Sequence, residues 1–363
     1  MLDTVPTKDD AGISAPKIVE ELVRKAESAG ASDIHLQMTA GAATICFRLD
    51  GIMVPALTLA CEAAERVMGR LKFLARLKTY QESMPQDGRI DRRALSSAND
   101  IRVATYPTVT GEKIVLRLFN PDTAKGLAEL EFPEKAQRAL ERFLRQTMGM
   151  MLLTGPAGSG KTTTIYACLR ALVELGGRHI ITIEDPAEQI IAGVMQTEIN
   201  EARGLDFAKA ARHLLRQDPQ ALVIGEIRDE ETANIALRAA LTGHLVISTL
   251  HAGSCRGVLE RLLVLCPDRS AIAAGLELVV NQRLMRRVCD KCHGAGCETC
   301  MGTGYRGRAP VAEWLAVDDG VRTKIRAYDL ATIRSARPLE EAARALVKQG
   351  VSNEPEFRRI FGL

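Results

Sequence analysis

Residues 149–164 read GMMLLTGPAGSGKTTT. An apolar run closes at Thr154, and the loop Gly155-Pro156-Ala157-Gly158-Ser159-Gly160-Lys161-Thr162 follows. Helical apolar spacing then resumes through Thr163, Thr164, Ile165, Tyr166, Ala167, Cys168 and Leu169. This is the pattern GxxxxGK[ST] between a strand and a helix, the setting a phosphate-cradling loop requires. Its glycines let successive backbone N–H groups turn inward around a phosphate chain, and the helix N-terminus adds positive potential. Lys161 is placed to reach the β/γ-phosphates, the Thr162 hydroxyl to ligate Mg²⁺, and Thr163 to close the nucleotide-contacting run. The stretch predicts that a nucleoside triphosphate, read as ATP, is bound with Mg²⁺.

Hydrolysis also needs an acid that holds the metal and one that activates or orients water. A Walker B strand is apolar and ends in Asp. Here Ala221-Leu222-Val223-Ile224 ends in Gly225-Glu226, so the acid is displaced by one residue and is one methylene longer. Glu226 is the candidate Mg²⁺ ligand, acting through water because that ion keeps part of its hydration shell. Glu184, at the end of HIITIEDP (179–186), is the candidate general base. The two roles are open to exchange. His244 and His251 flank the strand LVISTL. A histidine beside the γ-phosphate donates a hydrogen bond and senses the nucleotide; the alternative is a structural histidine bonded to a loop.

The second strong signal is Cys289-Asp290-Lys291-Cys292, then four residues, then Cys297-Glu298-Thr299-Cys300. Four thiolates on two knuckles suit tetrahedral Zn²⁺ and leave no open coordination position, so the metal is read as structural. An Fe–S cluster and a redox dithiol are the alternatives, and His293 is a possible substitute ligand. The other five of the nine cysteines, Cys46, Cys61, Cys168, Cys255 and Cys266, are scattered and read as reduced small hydrophobes.

The elements that position these residues follow from periodicity. Residues 1–15 read as a disordered lead-in. Ile18, Val19, Leu22, Val23 and Ala26 mark a helix that Gly30 stops. Strands are predicted over 31–38 and 42–51, a helix over 61–77, and a polar segment over 81–93. DIRVATYP (100–107) and GEKIVLRLF (111–119) read as a β-hairpin, with Arg102 and Arg117 on the faces opposite the apolar ones. Residues 120–132 read as a linker, and Pro133 starts a helix to about residue 146. Strands at 179–186, 221–226 and 244–251 then alternate with helices near 206–216 and 229–241. That order predicts an α/β domain with a parallel sheet, whose strand ends carry Glu184, Glu226, Thr249 and His251 to the edge holding the phosphate loop. The tail from 331 carries a helix with Leu339, Ala342, Ala343, Leu346 and Val347 on one face.

With 363 residues, two or three domains are expected. The balance of 48 basic and 45 acidic side chains, net +3, gives no support for a nucleic-acid partner. No run reaches the length and apolarity of a transmembrane helix, and the N-terminus lacks a signal-peptide apolar core. A cytoplasmic chain without direct membrane insertion is therefore expected, which leaves docking on a membrane protein open.

Taken together, these runs resemble the secretion ATPases of type II secretion and type IV pilus assembly. The matching stretches are ASDIHL (31–36), PQDGR (85–89), GEKIVLRL (111–118), GPAGSGKTTTIY (155–166), ITIEDPAE (181–188), the run LRQDPQALVIGEIRDEETANIALRAALTGHLVISTLHA (215–252), NQRL (281–284), the four cysteines and TGYRGR (303–308). The resemblance implies a PAS-like α+β domain (16–119), the linker, and a RecA-like P-loop domain (133–363) that includes the zinc element (285–308) and a helical tail (309–363). It implies that Glu184 is the catalytic glutamate of the EDP box, Glu226 the atypical Walker B acid, and His244 and His251 the histidine box near the phosphates. It also implies that Arg102 and Arg117 reach the nucleotide from the N-terminal domain, adding to catalysis by Lys161, Glu184, Glu226 and His251.

Such proteins assemble as homohexameric rings, and domain closure on ATP moves an inner-membrane platform protein. ASDIHL begins at residue 31, so the extra N-terminal domain of many members is expected to be absent. Ala157 stands where Thr is common and Gln220 where an acid is common. The leading expectation is a motor for pilin or pseudopilin assembly. A pilus retraction motor and a conjugation or type IV secretion ATPase are rivals, and both generally lack the four-cysteine element. The non-enzyme alternative, a nucleotide-binding regulatory module, sits poorly with intact Lys161, Thr162, Glu184 and Glu226.

Overall fold

The computed structural model describes residues 14–119 and 125–362. All but the last two residues of the expected lead-in, and 120–124 of the expected linker, lie outside the described residues. The chain divides into two compact units, one of Met1–Thr123 with Arg286–Arg308, the other of Ala124–Met285 with Ala309–Leu363.

The first unit holds helices α1 (Ala15–Ser28) and α2 (Cys61–Leu74) and strands β1 (Ala31–Thr39), β2 (Ala42–Leu49), β3 (Ile52–Ala60), β4 (Gln86–Ile90), β5 (Asp100–Thr108) and β6 (Gly111–Phe119). The strands form one antiparallel sheet in the order β3-β2-β1-β6-β5-β4. Alternation buries Ile34, Leu36, Ile45, Phe47, Ile101, Val103, Ile114 and Leu116 on one face. There they pack with Val19, Leu22 and Val23 of α1 and Val67, Met68 and Leu71 of α2. The expected hairpin is present with a tight turn at Val109 and Thr110, and its register sets Arg102 opposite Arg117. The helix expected to 77 stops at Leu74. Within the polar 81–93 segment lies β4, an edge strand in which only Ile90 is buried. Lys72, on the buried face of α2, has its ammonium 3.0 and 3.1 Å from the two carboxylate oxygens of Glu112 and 3.1 Å from the Gln81 carbonyl oxygen. A buried ammonium is tolerated only with such partners, and the contact to Gln81 pins the connection between α2 and β4.

The second unit opens with α3 (Glu134–Leu144), β7 (Gly149–Thr154), α4 (Lys161–Leu175), β8 (Ile180–Glu184) and β9 (Val194–Glu198). There follow α5 (Phe207–Leu214), β10 (Ala221–Ile224), α6 (Glu230–Leu241), β11 (Leu245–Thr249), α7 (Cys255–Leu265) and α8 (Arg269–Gly275). Strands β12 (Leu276–Val288) and β13 (Tyr305–Ala316) precede α9 (Asp319–Ala327), α10 (Leu339–Lys348) and α11 (Glu354–Phe361). The sheet order is β13-β12-β7-β11-β10-β8-β9, and the pairs from β12 to β9 are parallel. Every residue of β7, β8, β10 and β11 is buried, as strands covered on both faces must be. One face carries α5 to α8 and the other α3 and α4. Asp206, Asp229, Ser254 and Asp268 cap the N-termini of α5 to α8 by accepting a backbone N–H. The expected apolar face of the tail helix closes a small separate core with Phe357, Met285 and Val311.

One domain assignment needs correction. The four-cysteine segment, expected inside the C-terminal domain, groups with the first unit from Arg286 to Arg308. Strands β12 and β13 are long enough to leave the second unit, and the segment between them is held by residues of the first. The Gly307 N–H donates to Asp50 at 2.8 Å, and Met301 packs against the sheet-and-helix core.

Candidate functional site

In the second unit, β7 ends in the phosphate loop. Gly155, Gly158 and Gly160 have φ of +135°, +72° and +91°, values that side-chain-bearing residues avoid. A Cβ on Gly155 would stand 2.3 Å from the Gln282 carbonyl oxygen, so the loop is moulded against β12. Helix α4 begins at Lys161. The Lys161 ammonium folds back over its own loop, donating to the carbonyls of Gly155 at 2.8 Å and Pro156 at 3.0 Å. Burial pushes its pKa below the ordinary lysine value, and the charge of Glu226 opposes that shift.

The register fixes what stands beside the loop. Leu153 pairs with Thr249, Ser248 with Ile224, and Ile224 with Ile183. Thr249, Glu226 and Glu184 therefore follow one another along the carboxyl edge, as expected. Their surroundings differ. Glu184 is 8% exposed. Its carboxylate accepts from the Thr182 hydroxyl at 2.6 Å, the Gln196 amide at 2.9 Å and the Tyr166 hydroxyl. The Tyr166 oxygen also accepts the N–H groups of Glu188, at 2.8 Å, and Gln189, at 3.2 Å. Burial and then the bond to Glu184 push the Tyr166 phenol well above its ordinary pKa. Glu226 instead meets a cation: Arg228 donates to it through Nε at 2.6 Å and through a terminal nitrogen at 3.3 Å. Arg228 also lies 3.8 Å from Asp185 and over the Phe207 ring.

The two histidines part company. His251 follows β11 at the carboxyl edge, next to Ala252, whose backbone is held by both halves of the Thr154 hydroxyl at 2.9 Å. His244 lies at the other end of β11. Its carbonyl accepts from Gly149 at 3.1 Å, and its Nδ1 is 3.0 Å from the Ala239 carbonyl oxygen. Five strand residues separate it from the loop's edge, about 16 Å at the rise of a strand. The structure does not bring His244 to the phosphate loop of its own chain; its ring is bonded to the end of α6.

In the first unit, Arg102 and Arg117 share a longer cross-strand row than the hairpin alone indicated. Arg89 pairs with Arg102, Arg102 with Arg117, Arg117 with Asp33, and Asp33 with Arg48. All lie on the face opposite the helices. The buried Asp33 carboxylate takes Arg117 Nε at 3.0 Å and Arg48 Nε at 3.4 Å. Arg89 and Arg48 were not among the candidate site residues, although alternation within QDGRI and AATICFRL places them on this face.

The four cysteines fit a tetrahedral ion. Their sulfurs all lie within 4.8 Å of one another. Cys289–Cys297, Cys292–Cys300 and Cys297–Cys300 are 3.9, 3.8 and 3.7 Å apart, against about 3.8 Å for the edge of a ZnS₄ tetrahedron. Gly296 N–H donates to Cys292 at 3.2 Å, Cys297 N–H to Cys300 at 3.2 Å, and Gly304 N–H to Cys300 at 3.3 Å. Burial raises the Cys300 thiol, but these N–H donors and the adjacent thiols outweigh it and bring it down to about 6. Burial and the thiols beside it push Cys292 up to about 11. Four thiolates this close need a cation to coexist. His293 is not among the converging ligands. Among the described residues no helix is long and apolar enough to cross a membrane.

The profile of the family described as "Type II/IV secretion system protein" matches residues 7–359. The chain is 38% identical over 347 residues to a type II secretion system protein E of Dickeya dadantii, covering 89% of this chain and 69% of the relative. It is 38% identical over 380 residues to a type IV pilus assembly ATPase, PilB, of Thermus thermophilus, covering 96% of this chain and 42% of the relative. Among solved structures, the pilus retraction motor PilT with bound ADP superposes with a TM-score of 0.67 at 27% identity, over 94% of this chain and 96% of that one.

Two outcomes follow from this geometry. Tyr166→Phe removes one of three donors from the Glu184 carboxylate, so it should lower stability by about 1–3 kcal/mol and reduce turnover while the Michaelis constant for the nucleotide stays within about twofold; unchanged turnover would show that the bond does not hold Glu184 for chemistry. Elemental analysis should find about one zinc per chain, and Cys297→Ser should release it and lower the melting temperature; iron, or a metal-free chain of unchanged stability, would refute the zinc reading.

Proposed function

The chain belongs to the type II/IV secretion system protein family, and from that premise we propose how its residues make an ATP-hydrolysing motor for pilin or pseudopilin assembly. The observation that carries the reading is the single sheet edge on which the phosphate loop, Glu226 and Glu184 stand side by side. ATP lies with its phosphates in the loop of Gly155, Pro156, Ala157, Gly158, Ser159, Gly160, Lys161 and Thr162, with Thr163 beside it. Lys161 exchanges its carbonyl partners for the β/γ-phosphates. Thr162, and Glu226 through water, would hold Mg²⁺, which would supply positive charge to the phosphates. Glu184 orients and deprotonates the attacking water, and His251 donates towards the γ-phosphate. Arg102 and Arg117, from a PAS-like first unit, add positive charge in the transition state.

On this reading six copies form a ring that works at the inner membrane on a platform protein, with the chain itself cytoplasmic. Zinc in the four cysteines is structural. That element favours assembly over retraction or conjugation, because the latter groups generally lack it. Two carboxylates at the loop's edge favour turnover over a purely regulatory nucleotide switch.

Phosphate release assays with purified protein test the chemistry. Lys161→Ala should abolish hydrolysis; normal turnover would sink the phosphate-loop assignment. Glu184→Gln should keep nucleotide binding and lose turnover by at least about a hundredfold, whereas a loss confined to Mg²⁺ affinity would exchange its role with that of Glu226. Arg102→Ala and Arg117→Ala should each slow turnover with a melting curve that stays cooperative, Arg117→Ala also lowering the melting temperature because the buried Asp33 loses a partner. Rates equal to the parent protein in both would return these arginines to the surface of the sheet.

A further inference from the structure

Strand β12 flanks the phosphate loop, and one of its side chains meets the loop at both ends. Gln282 is 2% exposed. Its amide nitrogen donates to the Ser159 carbonyl at 2.9 Å, and its amide oxygen accepts from the Thr164 hydroxyl at 3.0 Å. Its main-chain oxygen occupies the space a Cβ on Gly155 would need, and its amide nitrogen stands 3.1 Å from where a Cβ on Gly160 would lie. One residue thus touches the start of the loop, the turn before Lys161 and the first turn of α4. Its neighbour Asn281 points the other way, donating to the Gly253 carbonyl at 3.2 Å and to Glu313 at 2.9 Å.

We infer that Gln282 is a positioning residue that shapes the phosphate loop for nucleotide binding. The peptide unit is planar and trans, so its C=O and N–H point in opposite directions. A Ser159 carbonyl held towards β12 directs the Gly160 N–H away from β12. A phosphate-cradling loop depends on such aimed N–H groups. The Thr164 hydroxyl fixes the other end of the Gln282 amide, so the amide cannot turn over and present its oxygen to Ser159. Both hydrogen bonds are buried and sequestered from water, and neither Gln282 nor Thr164 is placed against the nucleotide. Phosphates are gripped by the loop in ground state and transition state alike, so loosening the loop weakens binding and largely spares the chemical step.

The inference rests on the ATPase reading, and its test keeps the two apart. Gln282→Met keeps the volume and removes both hydrogen bonds. It should raise the Michaelis constant for ATP and the dissociation constant of Mg-ADP together by about tenfold, with kcat within about threefold of the parent and the melting curve still cooperative. Thr164→Val, which only frees the amide, should raise both constants about threefold. The double variant should be no worse than Gln282→Met alone, because both changes break one linkage. Unchanged constants in a folded Gln282→Met protein, or additive losses in the double variant, would overturn the assignment. Should Gln282→Met fail to fold, Thr164→Val decides on the same two constants. A parent protein that neither binds Mg-ADP nor hydrolyses ATP would instead overturn the ATPase reading itself.

Discussion

Everything at the candidate site depends on how β7 is clamped between β11 and β12. Leu153 pairs with Thr249 on one side and Val280 on the other, and Thr154 pairs with Asn281. All three strands run parallel; β7 and β11 end at one edge while β12 runs on past it to Val288, and the loop that leaves β7 emerges beside these fixed walls. A parallel strand buried on both faces has no tolerated slip, since a shift of one residue would exchange its two packed faces. The position of the phosphate loop relative to Glu226 and Glu184 is therefore set by backbone pairing in the core. Side chains at the edge only refine it.

That dependence explains which features the sequence announced. The loop was legible because its glycines are a steric requirement, visible at Gly155 in the 2.3 Å approach to Gln282. The ends of β8, β10 and β11 were legible because buried, mostly apolar runs close there on polar residues, Glu184, Glu226 and Thr249. The β5–β6 hairpin was legible from its alternation. Strands β4 and β9 were not, because edge strands expose alternate residues and carry polar ones: QDGRI buries only Ile90, and VMQTE buries none fully. Proximity to a sheet edge also misled the reading of His244. Flanking a strand is compatible with either of its ends, and the hydrogen bond from Gly149 puts this histidine at the amino end.

The partners of the catalytic candidates were hidden for a different reason. Tyr166 sits in the apolar rhythm of α4 and looks like core, and most of its ring is core; only its hydroxyl, brought against Glu184 by packing, reaches a candidate site residue. Gln282 lies in a buried strand where a polar residue looks like an exception to the pattern. A buried amide is tolerated only when both ends are satisfied, and both are satisfied here by the phosphate loop and its helix. The four-cysteine element shows the same limit. Its ligand spacing was plain, yet its attachment to the first unit is made through Asp50 and Met301, contacts that no local pattern encodes.

The two acids at the edge show how environment separates groups of the same type. Glu184 is surrounded by neutral donors from Tyr166, Thr182 and Gln196, which fix its carboxylate in orientation while leaving its charge uncompensated. Glu226 is held by a guanidinium, which compensates its charge directly. A cation arriving at Glu226 must compete with Arg228, whereas nothing positively charged is paired with Glu184 among its hydrogen-bond partners. Arg228 is half exposed and Asp185 lies 3.8 Å away, so the guanidinium has a second carboxylate to move to if it leaves Glu226. A base, by contrast, needs a fixed direction and an uncompensated charge. Of the two acids, Glu184 has the fixed direction and the uncompensated charge, and Glu226 has its charge already engaged by a guanidinium.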